Sequence, residues 1–159
     1  MNIETALSIY PLTWSSIGTA ILCGAIVGFE RQLRGKPVGI RTSSLIVLGT
    51  YVFIAISIHV ANDVSDPSRI IGQVVTGIGF LGAGVMLAKE GVIVGVTSAA
   101  TIWALAAIGI CIPIAEASVA IKLALVIVAI LYGVDLLEEY STTFTRGVHS
   151  KYSHWRSKG

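Results

Sequence analysis

Ile70-Ile71-Gly72-Gln73-Val74-Val75-Thr76-Gly77-Ile78-Gly79-Phe80-Leu81-Gly82-Ala83-Gly84-Val85-Met86-Leu87-Ala88 is a run of 19 residues without one charged side chain. Its centre, Gly77 to Gly82, matches the letters of the G-x-G-x-x-G dinucleotide fingerprint. That fingerprint cradles a pyrophosphate only where a strand ends and a helix begins inside a βαβ unit. Here the glycines lie in the middle of an apolar run. About 20 such residues, wound as a helix, cross the roughly 30 Å hydrocarbon core of a bilayer. The run therefore reads as a membrane helix, and nucleotide binding is set aside.

Outward from this run, the same reading applies four more times: Leu12 to Phe29, Thr42 to Ala61, Gly95 to Pro113, and Ala117 to Leu137. The connections Glu30–Arg41, Asn62–Arg69, Lys89–Val94 and Ile114–Glu116 are short, so successive helices are expected to pack as antiparallel neighbours. Irregular backbone at bilayer depth would leave amides unpaired, which makes helices the expected form of all five runs. Composition agrees. Of 159 residues, 54% are hydrophobic and 13% charged, against roughly 25% charged in soluble domains, and the mean hydropathy is +0.83. The expected fold is an all-α integral membrane protein with five transmembrane helices. Residues 1–139 form the five-helix membrane domain and residues 140–159 a basic cytoplasmic tail.

Charge sets the expected orientation. Arg31, Arg34, Lys36, Arg41, Lys89, Arg146, Lys151, Arg156 and Lys158 fall on one side of the five-span arrangement, and only Arg69 and Lys122 on the other. Lysine and arginine accumulate on the cytoplasmic side, so the N-terminus is expected outside and the C-terminus inside, as an odd number of spans requires. Tyr10 and Trp14 stand where an interfacial aromatic belt belongs. Ile3, Ala6, Leu7 and Tyr10 share a helical face that suits the outer interface.

Small residues recur every four positions at Ala20, Gly24 and Gly28, and again at Gly95/Ala99 and Ala100/Ala104. Such stripes let membrane helices approach closely, and Gly24, Gly28, Gly79 and Gly82 are each expected against a neighbouring helix. Gln73, Thr76 and Gly77 share a face of the third span, and Thr97, Ser98 and Thr101 open the fourth. These groups are expected to hydrogen-bond across helices. Gln73, Thr76, Gly77, Thr97 and Thr101, with Gly79, Gly82, Gly84 and Trp103, form a candidate polar, glycine-rich seam, of the kind that lines a ligand path in transporters with broken helices.

The densest charges lie at Glu30, Arg31, Arg34, Lys36, Arg41 and Thr42. Glu30 and Arg34 stand at the i,i+4 spacing of a helical ion pair, and Gly35, Pro37 and Gly39 force a turn. A positive-inside loop needs bases but no acid at the helix end. This segment is therefore a candidate cytoplasmic site for an acidic partner, lipid headgroup or phosphate, as well as a topology determinant.

Transport chemistry is thin. Mg²⁺ seeks carboxylates and retains water, yet no Asp or Glu lies near the middle of a span. His59, Asp63 and Asp66 make a weak candidate metal site at the outer end of the second span, and the solvated tail carries His149 and His154. No G-x-S-x-G, H-E-x-x-H or triad spacing occurs, so no enzyme and no cofactor is expected. Cys23 and Cys111 lie in apolar runs as small hydrophobes. A net charge of +2 gives no reason to expect nucleic acid.

Three stretches carry a family resemblance: Gly28 to Thr42, Arg69 to Val85 and Val94 to Gly109. On these the chain resembles the MgtC/SapB family of bacterial inner-membrane proteins, in a short form without the soluble C-terminal domain of virulence-type members. The resemblance implies a multi-pass inner-membrane protein linked to magnesium homeostasis and to low-magnesium or envelope-stress adaptation. It implies a regulator of other membrane machinery, such as the ATP synthase, with a magnesium or small-solute transporter acting as an oligomer as the alternative. The expected partners are the lipid bilayer and either further copies of the chain or a larger membrane complex.

Overall fold

The computed structural model describes residues 8–61, 67–89 and 92–140. Five helices follow in order: α1 (Trp14–Leu33), α2 (Ile40–Val60), α3 (Pro67–Gly84), α4 (Val96–Cys111) and α5 (Ala117–Tyr140). Between α3 and α4 lies a hairpin of β1 (Leu87–Lys89) and β2 (Val92–Val94), paired antiparallel with Leu87 opposite Val94. The chain up to Ile127 clusters as one compact unit and the chain from Val128 as another.

The hairpin corrects the expected third span. The apolar run continues to Ala88, but the helix stops at Gly84 and Leu87–Ala88 enter a strand. Hydropathy is blind to that change because Val85 to Ala88 are all apolar. The β-branched Val92, Ile93 and Val94 supply the partner strand, residue types that suit a pleated backbone. The strands pair with each other, so Lys89 and Val92–Val94, read as parts of a plain loop, lie in a ladder. The fold is thus predominantly helical with one small two-stranded sheet. Gly95 joins β2 to α4 with φ +91°, and a Cβ there would press into the Val85 carbonyl.

Among the described residues two helices, Ile40–Val60 and Ala117–Leu137, are long and apolar enough to cross a membrane. At 1.5 Å per residue α1 is about 30 Å long and α4 about 24 Å, so α4 is short for the usual hydrocarbon core.

α1 begins where Thr13 accepts a hydrogen bond from the Ser16 amide at 3.2 Å, an N-cap interaction. Its start is tied to α2 by the Thr13 N–H, which donates to the Tyr51 hydroxyl at 3.3 Å. Ala20, Cys23, Gly24, Val27 and Gly28 form its buried face, and that face approaches α2 backbone to backbone. A Cβ on Gly24 would stand 2.6 Å from the Ser44 amide nitrogen, and one on Gly28 2.7 Å from that of Ile40. The Ser44 hydroxyl donates to the Ile21 carbonyl at 3.3 Å across the same seam.

α2 then packs on α4 through Val47, Thr50 and Gly109. A Cβ on Gly109 would meet the Thr50 Cβ at 2.6 Å and the Val47 carbonyl at 2.7 Å. The buried face of α4 is Ser98, Thr101, Ile102, Leu105, Ala106, Ile108 and Gly109, and α3 lies against α2 and α4. In the first unit α5 buries Ala120 and Ala124 while Val119, Leu123, Leu125 and Val126 stay exposed.

The glycines therefore divide. Gly24 and Gly28 meet a neighbouring helix as expected, and Gly82 reaches Ala99 at an ordinary 3.7 Å. Gly79 does not: like Gly77 and Gly84 it has nothing within 4 Å of an added Cβ. α3 turns these residues away from the helices of its own chain. Replacement by alanine should separate the classes. Gly24→Ala, Gly28→Ala and Gly109→Ala force backbone apart and should each destabilise by about 1–3 kcal/mol, the usual magnitude for overpacking. Gly79→Ala should be neutral or up to about 1 kcal/mol stabilising through helix propensity. Thermal unfolding of the purified variants in one detergent measures the difference.

Candidate functional site

α1 continues one turn past the expected end of the first span, and that turn carries Glu30 and Arg31. Both are buried, Glu30 at 6% exposure and Arg31 at 3%. The helical period explains it. Arg31 follows Gly24, Val27 and Gly28 on the face that packs on α2, so its side chain is carried inward with them. Long charged side chains are almost never fully buried unless paired, and this one is paired. Arg31 Nη2 donates to Ser98 Oγ at 2.9 Å, and Arg31 Nη1 lies 3.8 Å from Glu30 Oε2. On the other side Arg34 Nε lies 2.8 Å from Glu30 Oε1.

The result is an ionic knot of Arg34, Glu30, Arg31 and Ser98 that joins the end of α1 to the first turn of α4. Its compensation is uneven. Neither Glu30 oxygen accepts a well-directed hydrogen bond, and Arg31 Nε–H has no acceptor. Two guanidinium groups share one carboxylate. Desolvating such charges is expensive, and Coulombic attraction offsets it only where the remaining donors and acceptors are met.

The loop below the knot is shaped by its own bonds. Lys36 N–H donates to the Arg31 carbonyl at 2.9 Å and Arg34 N–H to the Glu30 carbonyl at 3.2 Å, closing the end of α1. Val38 is buried with φ +70°, and its carbonyl accepts from the Ser43 hydroxyl at 3.0 Å. Gln32 Oε1 accepts weakly from the Ile40 amide at 3.4 Å. Lys36, Arg41 and Thr42 stay exposed.

The expected loop site thus splits into a buried part, Glu30 and Arg31 with half-buried Arg34, and an exposed basic rim of Lys36, Arg41 and Thr42. Ser98 is the member the sequence did not single out as a site residue. The signal was present: Ser98, Thr101, Leu105 and Gly109 share a helical face, and a hydroxyl on a face that becomes buried needs a partner.

The expected polar seam is not assembled within one chain. Gln73, Thr76, Gly77, Gly79 and Gly84 are exposed on α3, Thr97 and Trp103 are exposed on α4, and only Gly82 and Thr101 are buried. The hydroxyls bond to their own helices rather than across. Thr76 Oγ1 donates to the Gly72 carbonyl at 2.9 Å and Thr101 Oγ1 to the Thr97 carbonyl at 2.8 Å. A threonine inside a helix has this i−4 carbonyl within reach and needs no neighbour to satisfy it.

At the opposite end of α1 and α2, the Tyr10 hydroxyl lies 3.4 Å from His59 Nδ1 and the two rings meet edge to face at 4.8 Å. Among the described residues no three His, Cys, Asp or Glu side chains converge as metal ligands. Asp63, Asp66, His149, His154 and the face from Ile3 to Leu7 lie outside the described residues.

A mostly helical chain with two helices of membrane-crossing length among the described residues, and a buried arginine–glutamate knot at the end of α1, falls in the class of helical membrane proteins. The MgtC family model matches residues 17–140, and the chain belongs to the MgtC family, whose members are membrane proteins. It is 53% identical over 97 residues to the "Putative magnesium transporter YhiD" of Escherichia coli K12, across 57% of this chain and 45% of that protein. It is 38% identical over 156 residues to an uncharacterized protein of Haemophilus influenzae, across 92% of this chain and 63% of that one. Protein MgtC of Salmonella typhimurium is 48% identical over 92 residues, 57% of this chain and 38% of its own length. The chain thus covers less than two thirds of each of these relatives. No solved structure matches it.

The knot makes Glu30 a test of whether the loop serves more than topology. Acidic residues contribute little to the positive-inside bias, so Glu30→Gln should leave insertion unchanged. It should nonetheless lower stability by about 3 kcal/mol, because the buried Arg31 and half-buried Arg34 guanidiniums lose the carboxylate they share. Unfolding in detergent, beside protease mapping of the inserted protein, checks both halves.

Proposed function

We propose that this chain is a non-enzymatic, multi-pass inner-membrane protein of magnesium homeostasis, with its N-terminus outside, that acts on other membrane machinery during low-magnesium or envelope stress. Membership of the MgtC family and the magnesium-transporter name of the YhiD relative support the magnesium link. The nine-to-two distribution of lysine and arginine supports the orientation.

One observation carries the choice of regulator over carrier. The buried charge holds two guanidiniums to one carboxylate, and that carboxylate lies 2.8 Å from Arg34. A divalent cation prefers several oxygen ligands and keeps part of its water. At this junction it would meet repulsion from Arg31 and Arg34 and a carboxylate already engaged. A basic, buried junction with an exposed basic rim suits recognition of acidic groups on a partner or on lipid.

The second reading is a magnesium or small-solute carrier that becomes competent as an oligomer. It is favoured by α3, which leaves Gln73, Thr76, Gly77 and Gly84 uncovered by the chain's own helices. Small and polar residues of this kind serve helix association in membranes.

Flux separates the two. Purified chain in liposomes should give no Mg²⁺ flux above empty vesicles. Deletion should impair growth in low magnesium while the initial rate of Mg²⁺ uptake stays at the parental value. Saturable flux that disappears in Gln73→Leu would select the carrier.

A further inference from the structure

α4 is a 16-residue helix that starts without a side-chain cap. Its N-cap is Gly95, in the left-handed region, and no side chain accepts from its first turn. The first intrahelical bond runs from the Ala99 amide to the Gly95 carbonyl at 2.9 Å, which leaves the amides of Val96, Thr97 and Ser98 as the free donors of the helix start. Val96 and Thr97 are exposed. A helix start alone attracts anions only modestly.

A second observation sets this one apart. The Arg31 guanidinium, 97% buried by its 3% exposure, reaches the same turn through its bond to Ser98 Oγ, and its Nε–H meets no acceptor. Glu30 does not make up the deficit. Its Oε1 lies 2.8 Å from Arg34, while its nearer approach to Arg31 is 3.8 Å. Arg31 is therefore a buried cation with an unmet donor, and its Nη2 already reaches, at Ser98, a turn whose amides are also donors. Both features call for the same kind of group, an anionic oxygen with several lone pairs.

We propose that the first turn of α4, with Arg31, is a binding site for a phosphate oxyanion. Backbone amides of Val96 to Ser98 and the Thr97 hydroxyl hold its outer oxygens, and the Arg31 guanidinium compensates its charge from the buried side. The exposed Lys36 and Arg41 on the loop after α1 and the start of α2 bias the surrounding potential toward anions. The same chemistry is offered by free phosphate and by a phospholipid headgroup. The inference goes beyond the choice between regulator and carrier and stands without it.

The full chain, purified in a neutral detergent free of phospholipid, is titrated with inorganic phosphate while its thermal unfolding midpoint is followed. Chloride at matched ionic strength is the reference. A free-phosphate site gives a saturable rise with phosphate alone. A headgroup site gives the rise on adding phosphatidylglycerol to the micelles, and none with diacylglycerol. In either case Thr97→Glu places a carboxylate in the uncapped turn. It should raise the midpoint of the unliganded protein, as an acid in a first turn does, and abolish the response. Arg31→Lys keeps the charge but loses the guanidinium fork, and should require about tenfold more ligand. If neither phosphate nor phosphatidylglycerol moves the midpoint beyond its reference, or if Thr97→Glu responds like the parent, the site does not exist.

Discussion

The backbone approach of α1 to α2 at Gly24 and Gly28 is the constraint on which the rest depends. With hydrogen in place of a side chain, Gly24 and Gly28 rest against the backbone at Ser44 and Ile40. In a bilayer no hydrophobic drive presses helices together, so van der Waals contact and close hydrogen bonds must do it. Once the two helices touch this closely, the loop of residues 34–39 has to reverse within a few residues. Val38 takes a positive φ and is buried. The last turn of α1 is drawn inward with the glycine face, and Arg31 has no path to water. The ionic knot follows from the packing.

That knot places opposite demands on stability and function. A buried guanidinium with one hydroxyl and one distant carboxylate is a poor way to stabilise a fold, since apolar residues of similar size often do as well or better. It does fix where α4 begins relative to the end of α1. It also gathers excess positive charge at the same end of α1 and α2 as the exposed Lys36 and Arg41. Long ionisable side chains are seldom buried, and this is the place in the described chain where two of them are buried side by side.

Much of the architecture was legible in the sequence because it rests on two simple periods. The five apolar runs coincide in order and roughly in bounds with the five helices, and the four-residue spacing from Ala20 to Gly28 identifies the tight face of α1. What escaped depends on tertiary contact. The end of α3 is invisible to hydropathy because the run stays apolar through Ala88, while the hairpin is set by pairing with Val92 to Val94. The burial of Arg31 was hidden because basic residues at the end of a span read as a solvated loop. Only its register with Gly24 and Gly28 gives the burial away. Gly109 was overlooked because its partner is the side chain and backbone of Val47–Thr50, not another small-residue stripe. Of the α3 glycines only Gly82 meets a described helix of this chain: four in eight residues signal close packing, but a sequence cannot say whether the neighbour belongs to the same chain.

The central claim is that Arg31 and Ser98 energetically couple the end of α1 to the start of α4. A double-mutant cycle measures it directly, with Arg31→Met, Ser98→Ala and the pair unfolded in the same mixed micelles. Hydrogen bonds to charged groups contribute about 1.5–3 kcal/mol, so a coupling energy of at least about 1 kcal/mol is expected. Effects that add to within about 0.3–0.5 kcal/mol, as those of independent sites do, would contradict the account.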